Sequence, residues 1–122
     1  MRPPEEYNDR QGGVNMDERR VYAQEPVDTS ELRRLHAMLN DAGIRHQLIE
    51  EKCMGGATIK IPGLREWRRD RGISVIQHYS SFGGRSGKLE CWCKLPKCME
   101  GEPHGWMSAE EVFERIREAL AR

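Results

Sequence analysis

Ser74-Val-Ile-Gln-His-Tyr-Ser-Ser-Phe-Gly-Gly-Arg-Ser-Gly-Lys-Leu-Glu90 reads as a strand, a long polar loop bearing glycines, and a second strand. A loop that only reverses the chain needs about two to five residues and a glycine or asparagine. This one runs longer and holds His78, Tyr79, Ser80, Ser81, Phe82, Gly83, Gly84, Arg85 and Ser86. Two aromatic faces, a guanidinium, three hydroxyls and an imidazole equip it to hold a ring and an oxygen anion. The aromatics and the arginine offer planes for stacking, and arginine and bare backbone N–H groups take anions. The flanking strands are expected at 73–78 and 88–93, with residues alternating between two faces.

Upstream, Ile44, His46 and Leu48 alternate with polar residues up to Glu50, and Met54-Gly55-Gly56 marks a turn. Ala57, Ile59 and Ile61 then alternate with Thr58 and Lys60, giving a strand that Pro62 stops. Leu64 to Arg71 forms a short charged helix or turn around Trp67, ended by Gly72. Two helices bracket the strands. The first has Asp28 as its expected N-cap and Glu31 three residues on, with Val27 and Leu32 as a hydrophobic staple. Leu32, Leu35, Leu39 and Ala42 recur at helical spacing, and Gly43 supplies the stop. The last helix opens on Ser108-Ala-Glu-Glu111, a capping box, with Met107 and Val112 as its staple and Val112, Phe113, Ile116, Ala119 and Leu120 as its stripe.

The expected fold is therefore α+β: a four-stranded antiparallel sheet flanked by an N-terminal and a C-terminal helix on one face. Residues 28–122 form that single domain, and residues 1–27 form a polar, disordered arm. The sheet's other face stays free and offers a dimer surface.

The whole chain carries 20 basic and 20 acidic residues, so its overall charge excludes no partner. The distribution is uneven: Lys60 to Cys98 holds nine basic residues against three acids, and Met99 onward holds six acids against three bases. A basic middle favours an anionic ligand. No apolar run approaches the ~20 residues of a membrane span, and the N-terminus lacks the apolar core of a signal peptide. The expected location is cytoplasmic, with the four cysteines as thiols.

Several catalytic and metal patterns are tempting and fail. Cys91-Trp-Cys93, Cys98 and His104 are spaced C-x-C-x4-C-x5-H, which is not the usual zinc knuckle pair, and no metal or other cofactor is expected. Gly83-Gly-Arg-Ser-Gly-Lys88 lacks the P-loop pattern, and a strand follows where a helix should begin. No serine sits in a Gly-x-Ser-x-Gly elbow. The run Arg65, Arg68, Arg69 and Arg71 is interrupted by Glu66 and Asp70, so it reads as a solvated charged helix and nucleic acid is not expected as a partner. The chain is expected not to be an enzyme.

Two strings together carry a resemblance: Ser74-Val-Ile-Gln-His78 with its loop and Leu89-Glu90, and Gly105-Trp-Met-Ser-Ala-Glu-Glu-Val-Phe-Glu-Arg-Ile116. They resemble short proteins of phages and prophages of Firmicutes, and among named families the phage anti-Thoeris sponge proteins. In that group the positions of Cys91 and Cys93 tend to be apolar or small. The resemblance implies a protein that sequesters a cyclic ADP-ribose-type immune signal without cleaving it. It also implies a homo-oligomer, dimer or higher, with the pocket near a subunit contact, in the host cytoplasm.

On the chemistry of the loop, Tyr79 and Phe82 are expected to stack the ring. Arg85, helped by Arg71 or Arg115, holds phosphate oxygens. His78, Ser80 and Ser86 bond hydroxyls or phosphate, and Gly83 and Gly84 let backbone approach. Two rival expectations stand beside this one: an inhibitor that contacts a host defence enzyme, and a small zinc-dependent nucleic-acid binder.

Overall fold

A computed structural model describes residues 25–95 and 103–121. Five antiparallel strands lie in sequence order across one sheet. They are β1 (Gln47–Glu51), β2 (Gly56–Ile61), β3 (Ile73–Gln77), β4 (Leu89–Cys93) and β5 (His104–Met107). Helix α1 (Ser30–Asp41) precedes the sheet, α2 (Leu64–Arg68) sits between β2 and β3, and α3 (Ala109–Leu120) follows β5. The meander is as expected, but it has five strands where four were expected. The fifth is His104–Met107, which at four residues is too short to show an alternation of its own. Most of the polar arm expected at 1–27 lies outside the described residues.

Period-two alternation places the core. Ala57, Ile59 and Ile61 of β2, Ile73 and Val75 of β3, and Leu89, Cys91 and Cys93 of β4 are all buried and share one face by register. Leu32, Leu35 and Leu39 of α1 and Ala109, Val112 and Ile116 of α3 belong to the same cluster. Among the described residues, fourteen buried apolar residues thus form the core, and each removes its surface from water at about 25 cal/mol per Å².

The ends of the helices depart from the expectation in an instructive way. The N-cap of α1 is Thr29, whose side chain makes no capping bond; Asp28 instead accepts from the Ser30 N–H at 2.9 Å. Glu31 closes no box of its own. Its carboxylate accepts from the Ala109 N–H at 2.7 Å, at the start of α3, and pairs with Arg34, which also reaches Glu110. The box expected on α3 is present in full: Ser108 accepts from the Glu111 N–H at 3.1 Å, and Glu111 accepts from the Ser108 N–H at 2.8 Å. The positive end of the α3 dipole is therefore met by Glu31, Glu110 and Glu111 together.

These carboxylates set an acid limit on stability. Partial burial pushes Glu31 up, but the Ala109 N–H and Arg34 outweigh it and hold the carboxyl below its ordinary value. The hydrogen bond from Arg34 takes Glu110 down to about 2. A carboxyl lowered on folding stabilises above its unfolded value and loses that contribution as pH falls through its folded one. Stability should therefore decline from about pH 4.5 toward pH 2. Glu31→Gln keeps an acceptor and loses the charge, so it should cost about 1 kcal/mol at pH 7 and progressively less below pH 4.5. Urea denaturation of both proteins across that range is the check, and a pH-independent difference would contradict this account.

The second face of the sheet is not free along β2–β4. Register lines up Gln47, Lys60, Ser74 and Trp92 across it, and Lys60 and Ser74 are buried. The Lys60 ammonium donates to Ser74 Oγ at 2.6 Å and lies 4.8 Å from the Trp67 ring centre. Burial pushes its pKa down, which the Glu51 charge partly offsets and the Lys94 charge reinforces. Trp67 also meets Trp92 edge to face at 5.7 Å, so α2 lies over this side. Among the described residues no helix is long and apolar enough to cross a membrane.

Candidate functional site

Beyond β3 the chain is knitted tightly before it re-enters the sheet. The Tyr79 N–H donates to the Met54 carbonyl at 2.9 Å, extending the β2–β3 side of the sheet by one bond. Ser81 Oγ accepts from the His78 N–H and donates to the His78 carbonyl, both at 3.0 Å. The amides of Ser81, Gly84, Ser86 and Lys88 all donate to carbonyls of the loop itself. Gly83 and Gly87 take φ of 89° and 75°, the left-handed region that glycine reaches at low cost. Gly84 is fixed for another reason: a Cβ there would lie 2.2 Å from the His78 carbonyl oxygen. The loop is therefore preshaped, and few of its amides are left over for a ligand.

One buried side chain ties this loop to the rest. Gln77 is fully buried; its Oε1 accepts from the Leu32 N–H at 3.1 Å and its Nε2 donates to the Gly84 carbonyl at 3.2 Å. It satisfies an early amide of α1, which has no partner within its own helix, and anchors the loop at the same time.

On the outer side lies a recess of about 360 Å³, lined by Tyr79, Ser80, Ser81, Phe82, Gly83, Arg85, Ser86 and Trp106. Phe82 is 60% exposed and Trp106 62%. The Arg85 guanidinium carbon sits 4.4 Å from the Tyr79 ring centre, so the arginine covers a face of that tyrosine. The ring face of Tyr79 is thus taken by Arg85, while Phe82 and Trp106 keep exposed rings at the recess.

Trp106 was not foreseen. The β4–β5 register shifts between Leu89 and Cys91, and Trp106 takes a φ of 58°. A bulky side chain in the left-handed region is an outlier, and irregularities in a ladder re-aim side chains. The Trp106 N–H donates to the Phe82 carbonyl at 3.2 Å, joining β5 to the loop. Close approach depends on two glycines: a Cβ on Gly105 would lie 2.3 Å from Phe82 Cβ, and one on Gly83 would lie 3.2 Å from the Trp106 ring. The signal in the sequence was Gly105-Trp106 itself, an indole beside a glycine just ahead of a helix cap.

Of the expected site residues, Tyr79, Ser80, Phe82, Gly83, Arg85 and Ser86 come together at the recess. Four do not. His78 is buried, and its Nδ1 accepts from the Ser80 N–H at 3.1 Å, so it shapes the loop from behind. Gly84 is buried beneath the loop. Arg71 lies just before the start of β3, while the recess lies beyond its end, about 17 Å of strand away. Arg115 sits on α3, where its charge acts on Cys91 in the core.

The cysteines also depart from expectation. Cys93 is disulfide-bonded, whereas Cys53 and Cys91 are free thiols. Burial pushes the Cys91 thiol up to about 12, which makes it inert as a nucleophile. A disulfide sulfur is no longer a thiolate ligand, so the C-x-C part of the zinc pattern is lost; Cys98 lies outside the described residues.

No family model, curated protein or solved structure matches the chain.

Proposed function

We propose that the recess binds, and does not cleave, a small ligand that joins a flat ring to an anionic phosphate. The observation that carries this reading is the pairing of two exposed aromatics, Phe82 and Trp106, with the Arg85 guanidinium on one concave surface. Phe82 and Trp106 supply faces for a base, and Arg85 supplies a forked cationic donor for phosphate oxygens. Ser80 and Ser86 on the rim supply hydroxyls. The absence of turnover has support in the same geometry. His78, the imidazole of the loop, is buried with its Nδ1 occupied by the Ser80 amide, so it is not placed to activate a hydroxyl at the recess.

With the resemblance noted above, the ligand class becomes a cyclic ADP-ribose-type immune signal and the role a phage anti-defence sponge in the host cytoplasm. A volume of about 360 Å³ lies near the lower end of ligand pockets, which span roughly 300–1,000 Å³. A second copy of the chain over the recess would enclose more of the ligand, in keeping with a homo-oligomer.

A second reading has one observation in its favour. Exposed Phe and Trp beside Arg is also the composition of a protein-binding hot spot. An inhibitor of a host defence enzyme would use the same surface. A thermal-shift panel separates the two. The sponge reading predicts that one or more cyclic ADP-ribose isomers raise Tm and are recovered chemically intact after heat denaturation. Ligand turned over to product would contradict it. No shift with any cyclic nucleotide, together with stoichiometric binding of a host defence enzyme, would favour the inhibitor.

A further inference from the structure

The segment from Arg65 to Arg71 lies away from the recess, before the start of β3. Its two acids are both engaged by bases from outside the segment. Glu66 pairs with Arg45 at 3.5 Å, and Asp70 pairs with Lys94 at 2.8 Å. Arg65, Arg68, Arg69 and Arg71 are all exposed, and none makes an ion pair among the described residues. The acids that interrupt this run in the sequence therefore do not neutralise it in the fold. Among the described residues, four guanidinium groups stand uncompensated within seven positions.

An aromatic platform adjoins them. Trp67, within the same run, meets Trp92 edge to face at 5.7 Å, and Lys94 lies 3.8 Å from the Trp67 ring centre. Trp92 is 38% exposed. Unpaired arginines beside an open indole combine phosphate neutralisation with base stacking, the two terms by which single-stranded nucleic acid is held without sequence preference.

We infer that the surface formed by Arg65, Arg68, Arg69, Arg71 and Trp92 binds single-stranded nucleic acid. Phosphates lie on the arginines and a base lies on Trp92. Stacking of a base on the exposed Trp92 is the contact that an acidic polypeptide such as polyglutamate cannot make, and it favours nucleic acid.

The probe is a fluorescein-labelled oligothymidylate of about 20 nucleotides, titrated with the full chain at several salt concentrations. Four neutralised phosphates on a single strand give a slope of about −2.8 in log K against log salt, or roughly 50-fold weaker binding between 50 and 200 mM. Arg68→Ala/Arg69→Ala should reduce that to about sevenfold, with Tm unchanged because neither side chain is paired. Trp92→Phe, which keeps an aromatic face, should retain binding, and Trp92→Ala should weaken it. Failure to bind at 50 mM salt overturns the inference. So does equal affinity for polyglutamate of the same length, which would assign the surface to an acidic protein. A salt slope that the double variant leaves unchanged overturns it as well. None of these outcomes depends on the recess at the other end of β3.

Discussion

Gln77→Leu is expected to lower the stability of the chain by about 2–6 kcal/mol, although the two side chains are close in size. The substitution leaves no cavity. It leaves two buried backbone groups without partners, the Leu32 N–H and the Gly84 carbonyl, and each such group costs about 1–3 kcal/mol. The same change loosens the loop behind the recess, so ligand binding should weaken with stability. Urea denaturation measures the first effect. A loss under about 1 kcal/mol would mean that these groups find other partners and that Gln77 is not the tie between α1 and the loop.

Trp106→Ala should weaken ligand binding about five- to 150-fold, the equivalent of about 1–3 kcal/mol for one stacked base. Phe82→Ala should act similarly, and the double substitution should abolish measurable binding. Both side chains are largely exposed, so the fold should survive their loss. Trp106→Gly sharpens the test. Its φ of 58° costs a non-glycine residue roughly 1–2 kcal/mol, which glycine relieves. Relief should offset the packing lost on Gly83, leaving stability within about 1 kcal/mol of the wild type while binding weakens as it does in Trp106→Ala. A tryptophan kept there for packing alone would show the reverse, with stability lost and binding intact.

The sequence carried the meander and the long helices because their signals are local. Val112, Phe113, Ile116 and Ala119 follow a helical period, Ile59 and Ile61 a strand period, and Ser108 with Glu111 a capping geometry that depends on nothing distant. What it hid was set by contacts between segments far apart. Glu31 looked like a partner for its own helix and instead serves the start of α3, 78 residues away. Tyr79 looked like a stacking face until Arg85 was placed over it. Trp106 joined the recess through a short, irregular β5 whose pairing with β4 no local pattern announces. Arg71 and Arg115 shared a charge with Arg85 but not a neighbourhood. Composition counts such residues together, and only the fold separates them.

The central claim is that Phe82 and Trp106 clasp the ring of an anionic ligand that leaves unchanged. The most direct measurement is tryptophan fluorescence during titration with cyclic ADP-ribose isomers, in the wild-type chain and in Trp106→Phe. The account predicts a saturable change in emission in the wild type, its loss in the variant, and unaltered ligand at the end of the experiment. An emission change of the same size in Trp106→Phe, or no saturable change with any isomer, would contradict it.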